Sequence, residues 1–182
     1  MLAQAIDRTI EEIRTETLER AKTGAYPTLG IDPADARAAF ALINSRDPDE
    51  WAAGWSKIAD GYIEKAKAAG DPKEADANFL KAWRLYYFAQ WPAPTSKGKL
   101  AAYRKAVDAY LMHAKSFDPP LEIVRIPFEE SEIIGYLRLP AANVPRPVPL
   151  VLAISGLDSR KETIAETYAA APKSLAGCRS IT

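Results

Sequence analysis

The period of the hydrophobic pattern changes once along this chain, at Pro119-Pro120. Before that point apolar residues recur at close to the 3.6-residue repeat of an amphipathic helix; after it they alternate with the period of two that belongs to a half-exposed strand. A chain that spends its first two-thirds on helices and only then turns to strands has few folds open to it.

The helical portion is punctuated by its own start and stop signals. Leu2, Ile6, Ile10, Ile13 and Leu18 line one face of a first helix that should end near Gly24. Asp32-Pro33 opens a second, with an acid at the N-cap and proline in the first turn, where a missing N–H costs nothing. Asp47-Pro48-Asp49-Glu50 and Asp71-Pro72-Lys73-Glu74 repeat the device, and each glutamate has the spacing of a capping box. Trp51, Trp55, Ile58 and Tyr62 mark the face of one of these helices, and Phe79, Trp83 and Tyr86 that of the other, which should end at Trp91-Pro92. A last helix is expected from about Ser96 to Phe117. The Asp-Pro starts are unevenly spaced and no residue pattern recurs with them, which argues against a solenoid of repeats.

Beyond Pro120, Leu121–Phe128 and Ile133–Leu139 read as a hairpin, with Glu129-Glu130-Ser131-Glu132 as its turn and Pro127 suited to an edge. After a proline-rich connection, Leu150–Ile154 is an unbroken apolar run, the pattern of a strand buried on both faces of a sheet. Ser155-Gly156-Leu157-Asp158-Ser159-Arg160-Lys161-Glu162 follows at once. Ser159 and Glu162 have capping-box spacing, so a helix should start there and run through Ile164 and Tyr168. Strand, glycine turn and helix start together aim backbone N–H groups into one small space, suited to an anion or a developing oxyanion, although a glycine after a buried strand serves as readily as a purely structural turn. The expected division is a helical region over 1–118 and the start of a sheet domain over 119–182.

Composition excludes several classes of function. Lys plus Arg and Asp plus Glu are equal at 24 each, so no global field favours nucleic acid or an anionic membrane. Residues 1–50 lean acidic and residues 71–115 basic, but Lys81, Arg84, Lys105 and Lys115 fall between apolar positions at helical spacing, as on a solvated face. No run approaches the ~18 apolar residues of a membrane span. The N-terminus lacks a basic stretch followed by an apolar core, and a single cysteine, Cys178, allows no internal disulfide; a cytoplasmic location is expected. One cysteine and one histidine make no zinc site of the usual kind, and no glycine-rich phosphate loop is present, so neither metal nor cofactor is expected. Glu129, Glu130 and Glu132 read as a solvated turn.

Taken in succession, Tyr86-Tyr87-Phe88-Ala89-Gln90-Trp91-Pro92, Ile126-Pro127-Phe128, Gly135-Tyr136-Leu137-Arg138 and Gly156-Leu157-Asp158-Ser159-Arg160-Lys161-Glu162 resemble a bacterial family of α/β-hydrolases with a helical N-terminal region. That family includes 2,6-dihydroxypseudooxynicotine hydrolase and the fermentation–respiration switch esterase-like proteins, and the resemblance covers roughly residues 45–165. It implies an α/β fold: a cap-like helical region followed by the first strands of a hydrolase sheet left incomplete. It also implies a serine hydrolase acting on an ester, or on a C–C bond next to a carbonyl, of a small molecule. The loop after the third strand would place backbone N–H groups of Gly156, Leu157 and Asp158 in the oxyanion hole, and the cap would offer Trp83, Tyr86, Tyr87, Gln90 and Trp91 to a substrate. From the residues alone, those aromatics at helical spacing suit plain core packing better than ligand contact.

A hydrolase of this kind presents its serine on a Gly-x-Ser-x-Gly elbow, followed by an acid and a histidine. No such elbow occurs here, and His113 precedes the sheet, where it reads as a surface or cap residue rather than a general base. After Glu166 the pattern departs from helix-then-strand, with Pro172 interrupting it. The expectation is therefore a truncated or frameshifted hydrolase, inactive by itself, whose half-sheet leaves an apolar edge open to self-association. The alternative is a helical interaction module.

Overall fold

The computed structural model describes residues 8–140, 147–148, 150–156 and 159–167. They fall into two compact units, Met1–Met112 and His113–Thr182.

Five helices build the first unit: α1 (Ile10–Thr23), α2 (Pro33–Phe40), α3 (Pro48–Ala68), α4 (Pro72–Gln90) and α5 (Lys97–His113). α1 begins where Thr9 and Glu12 close a complete capping box: the Glu12 N–H donates to the Thr9 hydroxyl at 3.2 Å and the Thr9 N–H to the Glu12 carboxylate at 2.7 Å. It ends at Gly24, whose φ of +66° is a left-handed cap that glycine adopts without strain. Leu2 and Ile6, placed on this helix by periodicity, lie outside the described residues.

Each Asp-Pro pair starts a helix. Asp32 accepts from the Ala34 N–H at 2.7 Å, Asp47 from Asp49 and Glu50 at 2.9 and 2.8 Å, and Asp71 from Lys73 at 3.2 Å. The two capping boxes expected at Asp47 and Asp71 do not close. Glu50 instead accepts from the Asn44 N–H at 2.8 Å and from the Ser45 hydroxyl, because the chain entering α3 folds back and brings those donors to it; the Asp47 N–H goes to the Ser45 Oγ at 3.1 Å. Glu74 makes no return bond to Asp71 among the described residues.

α5 has no acid in its first turn. Asp49 of α3 caps it from a neighbouring helix, accepting the Gly98 N–H at 2.7 Å and the Ser96 hydroxyl. These bonds, Ser96's first, hold the Asp49 carboxyl below its ordinary value. The helix then tightens into a 3₁₀ turn over Ala114–Ser116 before Pro119-Pro120 ends it.

The core of this unit is aromatic, set among small residues. Trp55 and Phe88 meet edge-to-face with ring centroids 4.7 Å apart, and Phe40 and Trp51 close around them at 5.4 to 5.7 Å. Ala36, Ala39, Ala52, Ala59, Ala82 and Ala89 are fully buried and let the helices approach. Two polar ties hold α2 and the chain that leaves it: the Tyr62 hydroxyl donates to Asp35 of α2 at 2.8 Å, and Arg14 donates to the Ile43 carbonyl beyond its end at 3.1 Å. Burial, then the Asp35 carboxylate, push the Tyr62 phenol up to about 12.

In the second unit β1 (Glu122–Phe128) and β2 (Ser131–Leu137) pair antiparallel. Phe128 faces Ser131, so the hairpin turns on Glu129-Glu130 alone, tighter than the four-residue turn the glutamates suggested; Glu129 takes a φ of +51° to make it. The register puts Val124, Ile126, Phe128, Ile133 and Leu137 on one face. Arg138 ties the end of β2 to the chain that precedes β1, donating to the Asp118 and Pro119 carbonyls at 3.0 Å each, with its guanidinium 5.0 Å from the Phe117 ring centre.

The buried central strand expected at Leu150–Ile154 is not present. These residues pair with no neighbour among the described residues, and Leu150, Leu152 and Ile154 are 82%, 80% and 82% exposed. Apolar composition qualifies a segment for the middle of a sheet, but only ladders on both edges make it a strand there. The sheet described is two-stranded and open, and α6 (Lys161–Thr167) follows it.

Two outcomes follow from the packing. A Cβ at Gly54 would stand 2.6 Å from the Ile43 side chain, which is itself fully buried, and 3.2 Å from the Ala39 carbonyl. Gly54→Ala is therefore expected to lower stability by about 1–3 kcal/mol in urea unfolding, despite alanine's better helix propensity. The Tyr62–Asp35 bond should contribute stability below the phenol's unfolded value, near 10, and lose it as pH rises through about 12. An alkaline ultraviolet titration of Tyr62→Phe should lack that late step.

Candidate functional site

In the second unit the candidate turn runs from Gly156 into α6. The Gly156 N–H donates to the Ser159 Oγ at 2.9 Å, so this N–H is already engaged and the serine faces back along the turn. The capping box expected between Ser159 and Glu162 is accordingly not formed. Its glutamate has another partner: Glu162, 2% exposed, accepts the Tyr136 hydroxyl at 3.1 Å and pairs with the Lys161 ammonium at 3.0 Å. Lys161 in turn lies 4.9 Å from the centre of the Tyr136 ring. A buried carboxylate needs such partners to offset its lost hydration, and these join the first turn of α6 to β2. Thr163 closes the turn from the other side, its N–H and hydroxyl reaching the Arg160 carbonyl at 3.0 and 2.8 Å. Leu157 and Asp158 lie outside the described residues. Sequence spacing drew attention to Glu162 for the wrong partner and missed Tyr136, whose place on the same hairpin was the available signal.

In the first unit four of the five proposed substrate-facing residues are interior. Trp83, Tyr86, Tyr87 and Gln90 are 6% exposed or less, and only Trp91, just past the end of α4, is half-buried. Trp83 packs against Tyr110 at 5.4 Å and Tyr87 at 6.2 Å. Tyr86 gives its hydroxyl to Asp60, which also receives the Lys105 ammonium at 2.8 Å. Burial first, then the bond to Asp60, push the Tyr86 phenol well above its ordinary value. At Asp60 burial acts to raise the carboxyl, but the Lys105 and Tyr86 bonds outweigh it and hold it low. Trp91 stacks on Phe88 at 6.1 Å and donates its indole N–H to the Tyr26 hydroxyl at 3.3 Å.

Gln90 stands apart. It is fully buried, and neither its amide nitrogen nor its oxygen has a partner among the described residues; the indole N–H of Trp83 is in the same state. A buried primary amide without hydrogen bonds is a net cost to the fold.

His113 ends α5 with its ring edge-on to Phe117 at 5.0 Å. No group of three or more His, Cys, Asp or Glu side chains among the described residues could hold a metal ion, and no helix there is long and apolar enough to cross a membrane.

A helical region of this length, a strand hairpin after it, and a glycine turn leading into a helix correspond to the N-terminal portion of an α/β-hydrolase. Comparison with known families narrows the class: residues 40–176 match the FrsA-like esterases, and the chain belongs to that family. It is 29% identical to hydrolyase poxO of Penicillium oxalicum over 159 residues, which cover 80% of this chain and 37% of that protein. It is 32% identical to hydrolase phmG of Phaeosphaeria nodorum, covering 76% and 36%, and 28% identical to esterase FrsA of Vibrio vulnificus, covering 71% and 35%. The chain thus spans little more than a third of the length of these relatives.

Because the Gln90 amide is unpartnered, Gln90→Leu should stabilise the helical unit by about 1 kcal/mol or more. A raised denaturation midpoint with an unchanged m-value would show it; a lowered one would mean that the amide is satisfied in solution.

Proposed function

We propose that this chain carries the cap-like helices and the oxyanion turn of a cytoplasmic serine hydrolase acting on an ester, or on a C–C bond beside a carbonyl, of a small molecule. Membership of the FrsA-like family across residues 40–176 carries this reading, because the match includes both α4 and the Gly156 turn. Relatives with hydrolase and esterase in their names support the reaction class.

In this reading the backbone N–H groups of Leu157 and Asp158 serve as the oxyanion donors, and the N–H of Gly156, the third residue of that turn, is bonded to Ser159. The Glu162–Tyr136–Lys161 cluster ties the first turn of α6 to β2. On the cap side Trp91 contacts the substrate at the surface. Trp83 and Gln90, with unpartnered polar atoms, reach it only if α4 is uncovered, while Tyr86 and Tyr87 support them from the interior. No Gly-x-Ser-x-Gly elbow lies within these 182 residues, so the nucleophile, acid and histidine must come from polypeptide outside them, and the chain alone is inactive. Its exposed Leu150–Ile154 run makes self-association the expected state at high concentration.

The test is to treat the purified, folded chain with p-nitrophenyl acetate and with a serine-directed fluorophosphonate probe. Neither turnover nor labelling is expected, and sedimentation should show association that Leu152→Lys relieves. Labelling of any serine would overturn the claim of inactivity.

A further inference from the structure

The turn that leads into α6 is closed from within by one set of bonds and held from outside by another. Within it, the Gly156 N–H donates to the Ser159 Oγ at 2.9 Å, and the Thr163 N–H donates to the Arg160 carbonyl at 3.0 Å. From outside, Glu162 accepts the Tyr136 hydroxyl at 3.1 Å and the Lys161 ammonium at 3.0 Å. A local solution was open to this glutamate, since a capping box with Ser159 would satisfy it inside the turn. It goes instead to a residue 26 positions earlier, on β2.

That choice has a mechanical consequence. A turn closed only by its own bonds keeps its shape but can pivot on the chain at either side. A side-chain bond to a strand removes the pivot, and it does so firmly where water does not compete for the bonded groups. Glu162 is almost fully buried and Tyr136 is half-buried. The Lys161 ammonium lies 4.9 Å from the centre of the Tyr136 ring, so the cation that pairs with Glu162 also packs against the tyrosine that bonds it. Releasing the Tyr136 hydroxyl would leave a buried carboxylate short of a partner, and that cost keeps the bond made.

We propose that Tyr136 and Glu162 are positioning residues, which hold the turn from Gly156 into α6 against β2. The bonds stand independently of any reaction, but the part the pair plays in one rests on the hydrolase reading. Donors that receive a developing oxyanion work best when they are fixed before the charge arrives, and the residues behind them do the fixing. Tyr136 and Glu162 touch no substrate in this account and act only through the turn. The division of work also explains why the spacing of Ser159 and Glu162 does not close a capping box: Ser159 shapes the turn, and Glu162 places it.

The test is residue-resolved hydrogen exchange of the full chain, with the Gly156 and Thr163 amides as reporters and the amides of β1 and β2 as the reference. Tyr136→Phe is expected to speed exchange at both reporters several-fold and to leave the strand amides little changed. Glu162→Ala should do the same, whereas Glu162→Gln, which still offers Tyr136 a carbonyl acceptor, should keep exchange slow. Unchanged reporters in Tyr136→Phe would overturn the proposal. Equal acceleration of reporters and strands would overturn it as well, reducing the pair to a general support of the second unit. Exchange as fast in Glu162→Gln as in Glu162→Ala would overturn the part of Tyr136 in favour of the Lys161 ion pair. The expected exchange alongside fluorophosphonate labelling would leave the positioning pair standing while removing the claim that the chain is inactive; unchanged exchange without labelling would do the reverse.

Discussion

The packing of Trp55 against Phe88 organises the helical unit. Two large rings meeting edge-to-face at 4.7 Å need the helices that carry them to lie close, and the fully buried alanines along α3 and α4 permit it. Phe40 and Trp51 complete the cluster, so α2 docks against a surface the longer helices have already made. Gly54 then lets Ile43 seat without a clash.

Polar groups divide between bonds that hold the helices and bonds that orient a turn. In the first unit Tyr62, Tyr86 and Lys105 each reach a partner on another helix, and Arg14 reaches the chain just past the end of α2. In the second, Glu162 and Arg138 act over a much smaller framework, one joining α6 to β2 and the other joining the end of β2 to the chain at Asp118-Pro119. A two-stranded sheet has little packing to fix its geometry, so such side-chain bonds carry more of the task.

The helix starts were legible because Asp-Pro states them locally: acid, fixed φ and missing N–H act within three residues. The helix ends at Gly24 and Trp91 were legible for the same reason. What a glutamate at the third helical position bonds to was not, because Asn44 and Ser45 compete for Glu50 and Tyr136 for Glu162, and that competition is settled by how the chain arrives. The hairpin was visible in its alternation, whereas its two-residue turn depended on Glu129 adopting a positive φ that glutamate does not advertise. Leu150–Ile154 marks the limit of pattern reading, since apolar content shows what a segment could bury and not whether a neighbour is there to bury it. For the candidate site, the aromatic residues of α4 were recognisable, but whether they face a ligand or the core depends on helices distant in sequence.

Asp49 has a consequence for how this architecture can vary. Because a residue in the first turn of α3 accepts from the Gly98 N–H and the Ser96 hydroxyl, the start of α5 is registered against α3 directly, not through the connection over residues 92–95 that precedes it in the chain. That connection is thereby released from setting the helix's position. It can lengthen, shorten or change its side chains without displacing α5, which makes it a place where related chains could diversify their surface while conserving the bundle beneath.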